Sequence, residues 1–140
     1  MAHVYTYNPK QVKVSLGNHI VTAYADDTFV NIEPNGDGTQ LKVGCDGEVN
    51  RAISVNRAYT ITLTLLQNSP TNKFLETKYA QDQDEGNGNF PVLIKDVMGN
   101  DKFAGDYGWV TKPAAWGRGS DTTNREWEIV VADGRMTNND

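Results

Sequence analysis

From Tyr59 to Leu65, apolar positions alternate with threonines. Tyr59, Ile61, Leu63 and Leu65 fall on one side of the run, and Thr60, Thr62 and Thr64 on the other. A period of two with β-branched residues predicts a strand with one buried face. Its second face is a row of three hydroxyls, wettable and uncharged. Ser69-Pro70 then breaks the alternation. Serine caps the free N–H groups of a first helical turn, and proline fits the first helical position, where its missing donor costs nothing. The spacing predicts a helix over Ser69–Glu85 with a narrow apolar stripe of Phe74, Leu75 and Tyr79, closed by Asn87-Gly88.

The rest of the chain reads mostly as strands. Val12, Val14 and Leu16 alternate with polar residues, and Gly17-Asn18 joins them to a run from His19 to Thr22, a two-residue hairpin signal. A strand from Thr28 to Glu33 stops at Pro34. From Asn35 to Glu48 the chain is polar and glycine-rich. Asn35-Gly36-Asp37-Gly38 opens it, and Leu41 and Val43 are its apolar punctuation. This segment, which also holds Asp46 and Glu48, predicts a long loop or hairpin arm reaching away from the core, of the kind that tends to be functional or mobile. Val49, Ile53 and Val55 resume strand character. The continuous apolar run Phe90–Ile94 predicts a strand buried on both sides. Lys102–Val110 gives one or two short strands, Pro113–Thr123 a loop and Arg125–Val131 a last strand, with a frayed tail over 133–140. The expected architecture is mostly β: a sandwich or open barrel of about eight or nine strands with one flanking helix.

Composition narrows the classes. A chain of 140 residues suits one domain, spanning 1–140, and buries about 70% of its unfolded surface without staples. The net charge of −5 argues against a strongly basic nucleic-acid binder, which needs clustered Lys and Arg. A lone cysteine, Cys45, excludes a disulfide framework and a multi-cysteine zinc site. The start of the sequence has neither the basic head nor the apolar core of a signal peptide, and no stretch approaches a membrane span, so synthesis in the cytosol is expected.

Candidate chemistry stays thin. His19 has no partners at ligand spacing and reads as a plain polar strand residue, and Cys45 as a small thiol in a loop. Glu33–Gly38 places oxygens as a calcium loop begins, but Gly44 stands where the bidentate acid belongs. Asp82, Asp84 and Glu85 gather at a helix end. Neither Gly117-Arg118-Gly119 nor Gly86-Asn87-Gly88 carries a phosphate-loop ending. Lys112, Trp116, Arg118 and Arg125 interleave charge with a ring, which fits a solvated rim or subunit contact better than a nucleic-acid patch; Trp109 and Trp127 read as core. No catalytic constellation assembles, which favours a binding or structural role without cofactor or metal.

Several runs, taken in order, resemble a known family. They are Ala2–Lys10, Ala25–Phe29, Ile32–Gly38, Gly47-Glu48-Val49, Phe90–Asp96 and Asn124–Ile129. They are similar to the tail tube proteins of long-tailed bacteriophages, over roughly residues 2 to 131. The resemblance implies a barrel like that of type VI secretion tube proteins, no enzymatic activity, and hexameric rings stacked into a hollow tube through which DNA is ejected. It implies a virion protein of the phage tail, made in the host bacterial cytoplasm. Its partners would be further copies of itself, baseplate or tip, tape-measure and terminator proteins, and a sheath if the tail is contractile. Double-stranded DNA would pass without specific binding, and no membrane would be involved.

Within that frame Thr60, Thr62 and Thr64 are expected to line the lumen. Asn35, Gly36, Asp37, Gly38, Leu41, Val43, Asp46 and Glu48 would form an arm to the adjacent ring. Phe74, Leu75 and Tyr79 would seal subunits within a ring. Other expectations are a head-completion or tail-terminator ring, which never stacks, and a monomeric β-sandwich module binding carbohydrate or calcium.

Overall fold

The threonine-faced run forms a strand because each of its apolar side chains finds the same core. In the computed structural model, which describes residues 12–22, 24, 29–36, 39–53, 56–96, 101–117 and 123–137, Ile61, Leu63 and Leu65 are fully buried while Thr60, Thr62 and Thr64 are half-buried on the opposite face. This strand, β6 (Tyr59–Leu66), is sixth in chain order. Before it come β1 (Val12–Leu16), β2 (His19–Ile20), β3 (Val30–Pro34), β4 (Thr39–Val43) and β5 (Val49–Ile53). After it come α1 (Pro70–Glu85), β7 (Phe90–Asp96), β8 (Asp101–Lys112), β9 (Asn124–Val131) and β10 (Gly134–Thr137).

Eight strands make one antiparallel sheet in the order β2-β1-β7-β8-β9-β6-β3, with β10 added beside β8. Val14 and Leu16 of β1, Val92 and Ile94 of β7, Phe103 and Val110 of β8, Trp127 and Ile129 of β9 and the inner residues of β6 all enter one buried cluster. Strands distant in the sheet order thus share a core, so the sheet curls over itself as an open barrel. The expected mostly-β barrel with one helix is what the chain forms, with ten strands among the described residues.

Four local expectations are corrected. Phe90–Ile94 is not buried on both sides: Phe90, Val92 and Ile94 enter the core, while Pro91 and Leu93 are exposed. The described residues form a single core, so the outer face of β7 meets solvent despite its apolar residues. Trp109 is half-buried on that outer face, 6.2 Å from Tyr107 in an edge-to-face contact, whereas Trp127 is core as expected. The expected short strands around Lys102–Val110 are one twelve-residue strand with an irregular register between Val110 and Lys112. The tail expected to fray contributes β10: Gly134–Thr137 pair with Gly105–Lys102, and residues 138–140 lie outside the described residues.

The helix starts where the sequence places it. Ser69 is extended at the N-cap and its Oγ accepts from Thr71 N at 3.3 Å, with Pro70 in the first turn. It ends at Gly86, one residue before the expected Asn87-Gly88, because Gly86 takes the left-handed conformation (φ 71°) and its N–H bonds Asp82 O. Gly88 is buried against the last turns, where an added Cβ would overlap the Lys78 carbonyl.

Candidate functional site

The sequence directs attention to three regions: the outer face around β6, the helix stripe and the arm.

On the outer face, register decides which side chains share a surface, since directly paired residues of antiparallel strands lie on the same side. Thr62 is opposite Asn31 of β3 and Glu128 of β9, and Glu128 is opposite Lys112 of β8. Thr60 is opposite Glu33 and Val130, and Val130 is opposite Trp109. Thr64 is opposite Glu126. The three threonines therefore sit in a four-strand field with carboxylates at Glu33, Glu126 and Glu128 and an ammonium at Lys112. Thr60 Oγ1 is also engaged, donating to Asn35 Oδ1 at 2.6 Å, which ties β6 to the root of the arm. The threonines are legible in the sequence; the acids beside them are not. Pairing partners from distant segments supply those acids.

The apolar stripe of α1 faces its own chain. Leu75 has 0% exposure and belongs to the core cluster, with Phe74 and Tyr79 packed against it. Leu75 is therefore unavailable for the subunit contact expected of it, because the helix uses the stripe to pack against its own sheet. Phe74 and Tyr79 keep partly exposed surface.

A polar cluster locks the helix start. Ser69 Oγ donates to Thr22 O at 2.6 Å, and His19 Nε2 is 2.8 Å from Thr71 Oγ1. The His19 ring stacks on Phe74 with centroids 4.6 Å apart. His19, read as a plain strand residue, is a helix anchor; its isolated position in sequence gives no sign of the stack. Arg125 is buried beside the helix, with its guanidinium 3.6 Å from Glu76 and 4.8 Å over the Trp116 ring. Arg125 is thus committed to packing, and Arg118 lies outside the described residues.

The segment expected as an arm is a paired ribbon, and its strand extends beyond Glu48. β4 and β5 pair in a two-stranded sheet of their own, from Thr39↔Ile53 to Val43↔Val49, separate from the main sheet. Every residue of both strands is exposed. Asp46 Oδ1 accepts from Glu48 N at 3.2 Å and Gly47 takes φ 88°, which closes the tip around the exposed Cys45. At the root, Asn35 N donates to Ala58 O at 3.0 Å. Asp37 and Gly38, two of the expected arm residues, lie outside the described residues.

Between the two ends of the curled sheet lies an open cleft of about 260 Å³, lined by Val30 and Ile32 of β3, Phe103 of β8 and Met136 of β10 among others. Its volume lies below the usual range of small-molecule pockets. Among the described residues no group of three or more His, Cys, Asp or Glu is placed to hold a metal, and no helix is long and apolar enough to cross a membrane.

Comparison with known proteins bears on this geometry. The profile of the bacteriophage PhiTE tail tube protein family matches residues 14–136. The chain is 26% identical to structural protein ORF10 of Pseudomonas phage KPP10, over 90% of this chain and 78% of that protein. Solved structures with the same fold include the sheath/tube terminator of the extracellular contractile injection system PVC, with a TM-score of 0.68 and 13% identity over 97% of this chain and 99% of the other. They also include the tube-terminating cap of the anti-feeding prophage (TM-score 0.62, 12% identity, 99% and 95% covered) and a chain of the PVC sheath–tube complex (0.61, 12%, 96% and 93%).

Proposed function

Because the chain belongs to the bacteriophage PhiTE tail tube protein family, and is a structural phage tail protein, we propose that it polymerises as stacked hexameric rings into the tube through which DNA leaves the virion. The observation that carries this reading is the outer face around β6. Thr60, Thr62 and Thr64 give that face hydroxyls without charge, and Glu33, Glu126 and Glu128 give it negative potential. A lumen wall of this kind repels phosphate and offers a sliding duplex no cluster of cations to hold it. The ribbon of β4 and β5 makes the axial contact between rings, and the partly exposed Phe74 and Tyr79 contribute to contacts within a ring. The role is structural rather than enzymatic. The protein is made in the host cytoplasm and joins the tip, tape-measure and terminator proteins of the tail, and a sheath where one exists.

A second reading is favoured by the structural likeness to two terminating proteins: a ring that closes the tube and does not stack. Electron microscopy of the purified protein separates the two. Long stacked tubes support the tube, single rings support the terminator, and a monomer at all concentrations overturns both.

A further inference from the structure

The chain holds two Asn-Gly steps, Asn35-Gly36 and Asn87-Gly88. At such a step the side-chain amide is most open to its own backbone, since glycine has no Cβ to hinder the approach of its nitrogen. The fold treats the two steps in opposite ways. At the first, Thr60 Oγ1 donates to Asn35 Oδ1 at 2.6 Å. That bond draws electrons from the amide carbon and stands ready where an oxyanion would form. Asn35 N is held by Ala58 O at 3.0 Å, whereas the Gly36 N–H has no acceptor among the described residues. Gly36 also lines an open cavity of about 330 Å³ with Arg57 and Arg135, and among the described residues no carboxylate lines it. Water therefore reaches this peptide, and the two guanidiniums favour an anion at its nitrogen. The nearest acids are otherwise placed. Glu33, opposite Thr60, accepts from Asn31 Nδ2 at 3.2 Å. Asp106 and Asp133 line an adjoining cavity with the same two arginines, and Gly36 takes no part in it. At the second step, Gly88 is buried against the Lys78 carbonyl, and Asn87 Nδ2 donates to Glu85 Oε2 at 3.2 Å. No donor reaches Asn87 Oδ1 among the described residues, and the Glu85 carboxylate opposes an anion beside it.

We propose that Asn35 is a site of self-modification, at which the folded chain converts its own side-chain amide to a carboxylate with assistance from Thr60, while Asn87 is protected. The Gly36 nitrogen gives its proton to water or hydroxide and bonds to Cγ of Asn35. Negative charge collects on Oδ1, where the Thr60 hydroxyl holds it. The Cγ–Nδ2 bond then breaks and Nδ2 leaves with a proton as ammonia, closing a succinimide. Water opens that ring at Cγ to give aspartate, or at the main-chain carbonyl of residue 35 to give isoaspartate. No oxidant or reductant takes part. Either product adds a negative charge near Glu33, and isoaspartate lengthens the main chain by a methylene at the root of the ribbon, beside Asn56. The reaction thus marks the age of the protein at the point from which the ribbon is aimed. It requires only the folded chain and is independent of stacking into tubes.

The test incubates the full-length protein in mildly alkaline buffer and follows both Asn-Gly steps by peptide mapping with mass spectrometry. In the folded protein Asn35 is expected to convert at least about tenfold faster than Asn87, since only the first step is positioned for the attack. In urea, where only the shared dipeptide remains, the two rates should converge. Thr60→Val is expected to slow conversion at Asn35 by about fivefold, the worth of one hydrogen bond, and to leave Asn87 unchanged. Thr60→Ser, which returns the hydroxyl, should recover the parent rate. Arg57→Gln should slow Asn35 by about threefold at low salt and less at high salt. Equal rates at Asn35 and Asn87 in the folded protein overturn the proposal, as does an Asn35 that converts in urea and stays intact in the fold. A folded Thr60→Val protein that converts at the parent rate overturns the part assigned to Thr60.

Discussion

The indole Nε1 of Trp127 donates to the side-chain Oδ1 of Asn72 at 2.9 Å, and both residues are buried. The same asparagine donates from Nδ2 to the carbonyls of Leu66 and Gln67, at 3.0 and 3.2 Å. One amide in the first turn of α1 thereby joins the middle of β9 to the end of β6. Its loss strands a buried indole N–H and removes a donor from the carbonyls that close the strand-to-helix turn, of which Leu66 O keeps the bond from Ser69 N.

Asn72→Ala is accordingly expected to destabilise the fold by about 2–4 kcal/mol, since each buried polar group left unpaired costs about 1–3 kcal/mol. Urea unfolding followed by Trp fluorescence measures this directly. A variant with Trp127→Phe alongside Asn72→Ala should recover part of the loss, because the orphaned donor is then gone. An additive double mutant would show that the two side chains do not act together.

Ser69→Ala removes both the cap of α1 and the bond to the Thr22 carbonyl. A lost N-cap costs about 1 kcal/mol, and the second bond adds to it. The expected fall is about 1–2 kcal/mol in thermal or urea unfolding. Ser69→Asp retains the acceptor for Thr71 N but supplies no donor to Thr22, so it should recover only part of the loss.

The helix and β6 were legible in the sequence because their signals are local. Ser69-Pro70 states a helix start, and the period-two run states a strand. What was not legible depends on distant partners. The acids flanking the threonines reach them only through the pairing of β3 and β9 with β6. The role of His19 exists only because Thr71 and Phe74, some fifty residues later, come to lie beside it. Gly134–Thr137 has little apolar signal and becomes a strand because β8 is long enough to offer it an edge. The apolar run at Phe90–Ile94 misled for the same reason: burial on a second face needs a second layer, and the curled sheet has one core. The hairpin partner of β4 was hidden by the polar tip, although Val49 and Ile53 carried strand character.

Gly105 sits where β8 passes under Val131. A Cβ at that position would overlap the Val131 Cγ1 atom, which belongs to a fully buried side chain. Gly105→Ala should therefore cost about 1–3 kcal/mol, the usual range for overpacking. Combining it with Val131→Ala should relieve the overlap, leaving mainly the loss of the valine methyls. Denaturation midpoints of the three variants test this.

Tyr24 makes stability depend on alkaline pH. Its Oη is buried without a hydrogen-bond partner of good geometry, and burial raises its pKa above the ordinary 10.0, with a smaller opposing influence from the Val14 backbone. The folded state then holds this proton at a pH where the unfolded chain has released it. Stability from this group is intact below about pH 10 and declines as pH rises from there through the folded pKa. Tyr24→Phe should flatten that decline relative to the parent chain. It should also leave stability at pH 7 unchanged or slightly higher, since an unpaired buried hydroxyl is removed. Melting temperatures of both proteins between pH 7 and 11 decide the matter.

Thr62 is the position from which the direction of the sheet can be read. It lies mid-face, opposite Asn31 and Glu128. If this face lines the lumen, Thr62→Lys places a ring of ammonium groups along the path of the duplex at each level of the tube. Its half-buried environment accommodates a long chain whose head reaches water, and Glu128 partly neutralises it, so assembly should survive. Ejection should slow, because phosphates now meet cations, and the delay should shrink as salt rises from about 0.05 M toward 0.5 M and shortens the screening length. Thr62→Gln, of comparable reach but without charge, should eject at close to the parent rate. A Thr62→Cys, Cys45→Ser tube supplies the independent readout. A maleimide tethered to a protein too large for the channel should leave the cysteine unlabelled, while a small maleimide diffusing along the bore should react. Labelling by the large reagent along the tube wall would put this face outside and remove the reason for the slow ejection.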